Sequence, residues 1–127
     1  MHEIRLPGTG STPEVSTDCE NGKLTLRGDS YPENSFEFFQ PIIDWVEQFL
    51  AEQHKPLSVD LFLLYLNTSS IRALMDILDL LEEAHQADKP VKLTWHYDRE
   101  NERMAELAEE FKEDCTFPFH IVTSVQS

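Results

Sequence analysis

Leu57-Ser58-Val59-Asp60-Leu61-Phe62-Leu63-Leu64-Tyr65-Leu66, followed at once by Asn67-Thr68-Ser69-Ser70, decides how the chain is read. After Asp60 the run loses its alternation, and a continuous apolar strand fits the centre of a sheet flanked by helices and covered on both faces. Past the hydroxyl-rich step, Ile71, Leu74, Met75, Leu78 and Leu81 recur at helical spacing. They predict a buried stripe, with Asp76, Asp79, Glu82 and Glu83 largely toward solvent. The helix should end between His85 and Asp88, because Pro90 blocks its continuation.

Working outward, Val91 to Tyr97 alternates cleanly, and Asp98 to Asp114 predicts a third helix with Met104, Leu107, Ala108 and Phe111 as its apolar stripe. Phe117 to Val122 reads as a last strand. Upstream, Gly8 to Pro13 is a loop by composition, and Glu14 to Asp18 is a short edge strand. Asn21-Gly22 signals a hairpin turn into Lys23–Gly28, whose Leu24 and Leu26 share one face. Ser30-Tyr31-Pro32-Glu33 has capping-box spacing ahead of a first helix carrying Phe39, Ile42, Ile43, Val46, Phe49 and Leu50. Pro41 means that this helix either starts nearer Phe38 or kinks there.

The order β–β–α–β–α–β–α–β predicts an α/β fold: one mixed sheet with an N-terminal antiparallel hairpin, then parallel βαβ units with right-handed crossovers, and three main helices. No repeat or linker divides the 127 residues, so residues 1–127 are expected to form a single domain.

Acids outnumber Lys and Arg by 24 to 10, a net charge of −14. Phosphate backbones and anionic membranes would be repelled by such a surface. Hydrophobic residues at 40% supply a core and argue against disorder. The start, Met1-His2-Glu3-Ile4-Arg5, lacks the apolar run of a signal peptide, and Leu61 to Leu66 is too short to span a bilayer. Cys19 and Cys115 form no CxxC pair; a single disulfide is open, though reduced thiols fit better. A cytoplasmic location is expected.

Chemistry-bearing motifs are scarce. Five scattered histidines include one E-x-x-H step, Glu82 to His85, whereas a di-metal bundle needs two on facing helices. Gly8-Thr9-Gly10 is not a phosphate loop, and no GxSxG occurs. Neither metal nor cofactor is expected. The acidic third helix is either a solvated face or a contact surface for a basic partner. Asn67-Thr68-Ser69-Ser70 joins the carboxyl end of the expected central strand to a helix start, where open α/β sheets engage ligands and partners. Three hydroxyls there meet unpaired N–H groups and the positive end of a helix dipole. They fit simple N-capping, and they also fit a phosphorylation site, because a helix start accepts a dianion without unfolding. A small enzyme or ligand-binding domain using loop 67–70 is the alternative, with Ser69 or Thr68 as nucleophile and His96 as base. No orienting partner or oxyanion site is specified for it.

Ser30-Tyr31-Pro32-Glu33-Asn34, Tyr65-Leu66-Asn67-Thr68-Ser69-Ser70 and Trp95-His96-Tyr97-Asp98, in this order and spacing, resemble the SiaC family of regulatory phosphoproteins. The resemblance implies a small, non-enzymatic bacterial switch controlling aggregation and biofilm formation. Its threonine in the NTSS segment, here Thr68, is phosphorylated by a SiaB-like kinase and restored by a SiaA-like PP2C phosphatase. The unmodified form binds and activates a SiaD-like diguanylate cyclase and so raises cyclic di-GMP. The logic is similar to that of partner-switching STAS domains, so a STAS-like α/β fold is expected. Asn67, Ser69 and Ser70 share the loop and are candidate partner contacts. Tyr31 and Glu33 belong to a segment that either caps the first helix or borders the Thr68 surface.

Overall fold

In the computed structural model, described over residues 2–123, the elements are β1 (Arg5–Leu6), β2 (Glu14–Asp18), β3 (Lys23–Ser30), α1 (Ser35–Glu52), β4 (Leu57–Leu66), α2 (Thr68–Gln86), β5 (Val91–Tyr97), α3 (Glu102–Glu113) and β6 (Phe119–Thr123). They build one mixed sheet whose strands lie side by side in chain order. β1, β2 and β3 pair antiparallel, and β3 to β6 pair parallel. β1 is not anticipated in the sequence, since two residues carry no period. It is held by Glu3, whose carboxylate accepts from Thr17 Oγ1 at 3.1 Å, the Cys19 N–H at 2.8 Å and Trp45 Nε1 at 3.3 Å.

The strand order has a consequence for the helices. Each crossover, through α1, α2 and α3, steps to the next strand in the same direction. Right-handed crossovers that all step one way place every helix on one face of the sheet. Burial agrees: Leu57, Val59, Leu61 and Leu63 are buried, while Ser58, Asp60 and Phe62 between them are only partly covered. The core joins those residues to Leu24, Leu26, Leu93, Trp95 and Phe119, and to Phe39, Ile42, Phe49, Leu74, Ile77, Leu81 and Phe111 of the helices. The expectation that β4 is covered on both faces is therefore wrong. Phe62 misleads because it is shielded by neighbours in the sheet: the Arg27 guanidinium lies 4.0 Å from its ring centroid, and His96 stacks on it at 4.0 Å.

Between Gly28 and Asp29 the β3–β4 register slips, pairing Gly28 with Leu63 and Asp29 with Tyr65. Gly28 adopts φ +118°, a backbone state that favours glycine. The extra residue, Leu64, resets the alternation, so Leu66 enters the core and Tyr65 stays 45% exposed. This bulge turns an aromatic side chain outward just before Asn67. The β2–β3 turn needs Gly22 for two reasons: its φ is +65°, and an added Cβ would sit 2.0 Å from the Pro56 carbonyl oxygen.

Two helix starts differ from their expected positions. Ser30 is no cap; it ends β3 and is fully buried. Asn34 caps α1 instead, its side chain accepting from the Glu37 N–H at 3.1 Å, and the helix runs from Ser35 through Pro41. The third helix starts at Glu102 rather than Asp98, because Asp98 forms a turn with Glu100 and Asn101, and Asn101 then caps α3. On α2, Met75 departs from the expected buried stripe: it is 47% exposed, and Ile71 is only half-buried.

Candidate functional site

α2 starts immediately where β4 ends, and Asn67 makes the junction. Its backbone is extended (φ −79°, ψ 171°), and its side-chain oxygen accepts from the Ser70 N–H at 2.9 Å. Its carbonyl accepts from the Ile71 N–H at 2.9 Å, and its own N–H donates to the Ser30 carbonyl at 3.0 Å. This cap uses up the Ser70 donor. The N–H groups of Thr68 and Ser69, the first two of the helix, have no intrahelical acceptor.

Beneath the junction lies a set of serines. Ser30 Oγ and Ser70 Oγ share a hydrogen bond of 2.8 Å in the interior, and Ser35 Oγ lies 3.4 Å from Ser70 Oγ. Ser35 also shares a 2.8 Å bond with Ser69 Oγ, which donates to Asn67 Oδ1 at 3.3 Å. Buried hydroxyls are tolerated when they satisfy one another, and here they tie the end of β3 and the start of α1 to the start of α2. Ser70 points inward, Ser69 is engaged at the rim, and Thr68 is exposed and outside the network. Ser30 and Ser35 are spatial neighbours of Ser70 that the sequence does not announce, since they stand far from it along the chain.

Around Thr68 the surface is aromatic. Tyr31 and Tyr65 meet edge to face with centroids 5.8 Å apart, both roughly half exposed. Phe36, next to Ser35, is 75% exposed. Tyr31 thus joins the rim through Tyr65, while Glu33 stands exposed in the β3–α1 connection. The first turn of α2 holds no acidic residue, despite the 24 acids of the chain. Arg72, one turn beyond Thr68, is exposed. Such a helix start favours an added anion.

The family model of the SiaC regulatory phosphoproteins matches residues 6–124, nearly the whole chain. The chain belongs to the SiaC family. It is 65% identical over 121 residues to an uncharacterised protein of Pseudomonas aeruginosa strain UCBPP-PA14, covering 95% of this chain and 96% of that one. Apo-SiaC from Pseudomonas aeruginosa superposes with a TM-score of 0.91 at 62% identity, over 96% of this chain and 99% of its own. SiaC crystallised in complex with the diguanylate cyclase SiaD, which it activates, gives a TM-score of 0.93 at 64% identity, over 95% and 99% of the two chains. The mixed α/β fold is thus that of SiaC.

Other polar groups of this SiaC-family chain are engaged elsewhere. His96 pairs with Asp60 through Nε2 at 3.2 Å and stacks on Phe62, on the sheet face that carries no helix. It makes no hydrogen bond to Thr68 or Ser69, so the structure does not assemble the alternative nucleophile–base pair. Glu82, of the E-x-x-H step, accepts from the Thr116 N–H at 2.7 Å and from the Thr116 hydroxyl and Gln86. Those bonds, the Thr116 hydroxyl first, hold its carboxyl down at about 2. Burial and the carboxylates of Glu82, Asp114 and Asp79 push the Cys115 thiol up to about 11, which leaves it a poor nucleophile. Among the described residues no three His, Cys, Asp or Glu side chains converge as metal ligands, and no helix is long and apolar enough to cross a membrane.

Proposed function

We propose that this chain, acting as one regulatory domain in the cytoplasm, is a phosphorylation-controlled partner switch with no catalytic activity of its own. Unmodified, it binds and activates a SiaD-like diguanylate cyclase and so raises cyclic di-GMP. A SiaB-like kinase phosphorylates Thr68 and blocks this; a SiaA-like PP2C phosphatase restores it. The observation that carries the proposal is the exposed Thr68 at an acid-free helix start, in a fold that superposes on SiaC bound to its cyclase.

The physical logic is local. A phosphate brings a charge of about −1.5 to −2 at neutral pH. The N–H groups at the start of α2 and the Arg72 guanidinium can receive it, so folding is little disturbed. A partner seated on Tyr31, Tyr65, Asn67 and Ser69 must instead desolvate a dianion, which an apolar surface cannot compensate. The buried Ser70 supports that rim from below.

The test compares cyclase binding and activation by the unmodified chain, by chain phosphorylated at Thr68, and by Thr68→Ala and Thr68→Asp. Thr68→Ala should bind and activate; the phosphorylated chain should do neither, and Thr68→Asp should bind weakly. Equal affinity of all four for the cyclase overturns the mechanism.

A further inference from the structure

Two neighbouring hydroxyl residues stand at the start of α2, Thr68 and Ser69, and both are exposed. They lie one peptide apart, beside the same helix dipole and the same free N–H groups. A kinase that read only the local chain would meet two acceptors. The hydrogen bonds tell them apart. Ser69 Oγ donates its one proton to Asn67 Oδ1 at 3.3 Å. The Ser70 N–H donates to the same atom at 2.9 Å, as suits an amide oxygen, which can only accept. In the 2.8 Å bond between Ser69 and Ser35, Ser35 is therefore the donor.

This direction carries inward. Ser35 has given its proton to Ser69, so at 3.4 Å it accepts from Ser70, and Ser70 accepts from Ser30 at 2.8 Å. Ser30, Ser70, Ser35 and Ser69 thus form one chain of donors that ends on Asn67. Ser35 is only 4% exposed, and Ser30 and Ser70 are fully buried, so water does not compete for these bonds. The Ser69 hydroxyl is held towards α1 with its proton and one lone pair engaged, whereas Thr68 stands outside the chain of donors. We propose that Ser35 is a specificity-determining residue: by holding the Ser69 hydroxyl against α1, it restricts phosphorylation to Thr68.

The role of Ser35 rests on the proposed phosphorylation of Thr68 and explains why one of two adjacent hydroxyls is used. In the transfer, a hydroxyl oxygen forms the new bond to the γ-phosphorus of a nucleoside triphosphate. The bond from that phosphorus to the β,γ-bridging oxygen breaks, the nucleoside diphosphate leaves, and the hydroxyl proton passes to a base of the kinase. Ser69 can follow this course only by turning away from both Ser35 and Asn67. Thr68 gives up neither bond. Ser35 stands 34 residues upstream of Ser69, so the choice is made by the tertiary structure and not by the segment around Thr68.

The experiment incubates the full chain with a SiaB-like kinase, ATP and magnesium, and maps phosphate at Thr68 and Ser69 over time by peptide mass spectrometry. Its arms are wild type, Ser35→Ala, Ser30→Ala, and Thr68→Ala with and without Ser35→Ala. Ser30→Ala breaks the same network at its buried end without touching Ser69, and so controls for a loosened helix start. Circular dichroism checks that every variant folds. Wild type and Ser30→Ala should carry phosphate at Thr68 alone, and Thr68→Ala should carry none. Ser35→Ala should gain phosphate at Ser69 about tenfold or more faster than wild type, with or without Thr68, while Thr68 is modified at the wild-type rate. Phosphate confined to Thr68 in Ser35→Ala overturns the restriction and leaves the switch standing. Ser69 modified equally in Ser35→Ala and Ser30→Ala, or in wild type as fast as Thr68, overturns it too. Absence of phosphate from Thr68 of the wild type overturns the switch itself, and with it the choice assigned to Ser35.

Discussion

At the start of α2, Asn67 and Ser70 turn their polar atoms inward and leave Thr68 exposed beside unsatisfied N–H groups. At its other end, Glu82 and Gln86 reach across to Thr116 and close the α3–β6 connection onto the helix. The second end is closed within the chain: its carboxylate accepts from the Thr116 N–H, the Thr116 hydroxyl and Gln86. The first end is stable yet unfinished. It can take up an anion or a neighbouring surface without breaking any bond it already makes. The proposed switch requires this separation between the groups that hold the fold and the group that would be modified.

The largest expected effect would break the comparison if absent: phosphate on Thr68 should weaken cyclase binding by about a hundredfold, about 2.7 kcal/mol. Next, Ser70→Val should destabilise the chain by about 2 kcal/mol in urea unfolding, because Ser30 Oγ loses its buried partner and the added methyls crowd α1. Asn67→Ala should cost about 1 kcal/mol by removing the cap. If it also halts phosphorylation while a restabilised background does not rescue it, the cap positions Thr68 as well as holding the helix.

Glu82 sharpens the contrast through pH. Its carboxyl titrates at about 2 when folded, below the 4.5 expected of it unfolded. Its bonds to Thr116 therefore stabilise fully above about pH 4.5, and that contribution disappears as pH falls through 2. Thermal unfolding of Glu82→Gln should show a reduced loss of stability across that window, with no change at Thr68. The smallest effect is expected at Thr68 itself: Thr68→Ala should stay within about 0.5 kcal/mol of wild type, because the side chain is exposed and carries no part of the serine network.

Strands β2, β4 and β5 are legible in the sequence to the residue, because turn signals and helix starts bound them tightly. The start of α1 is not: Ser30-Tyr31-Pro32-Glu33 and Asn34-Ser35-Phe36-Glu37 both carry capping spacing, and only the pairing of Ser30 with Leu66 in the sheet rules out the first. The uncovered face of β4 is equally hidden. Phe62 has the composition of a core residue, and its cover comes from Arg27 and His96 on the flanking strands.

By itself, the sequence determines the element order from β2 onward, the acidic surface and the strand-to-helix junction that carries Thr68, because these follow from local periodicity, capping and charge. Only the tertiary structure decides that all three helices share one face, that a bulge turns Tyr65 outward, that Ser30 and Ser35 converge beneath Ser70, and that Met75 stands exposed. Each of these depends on which strand lies beside which, a choice made by long-range pairing that no local pattern encodes.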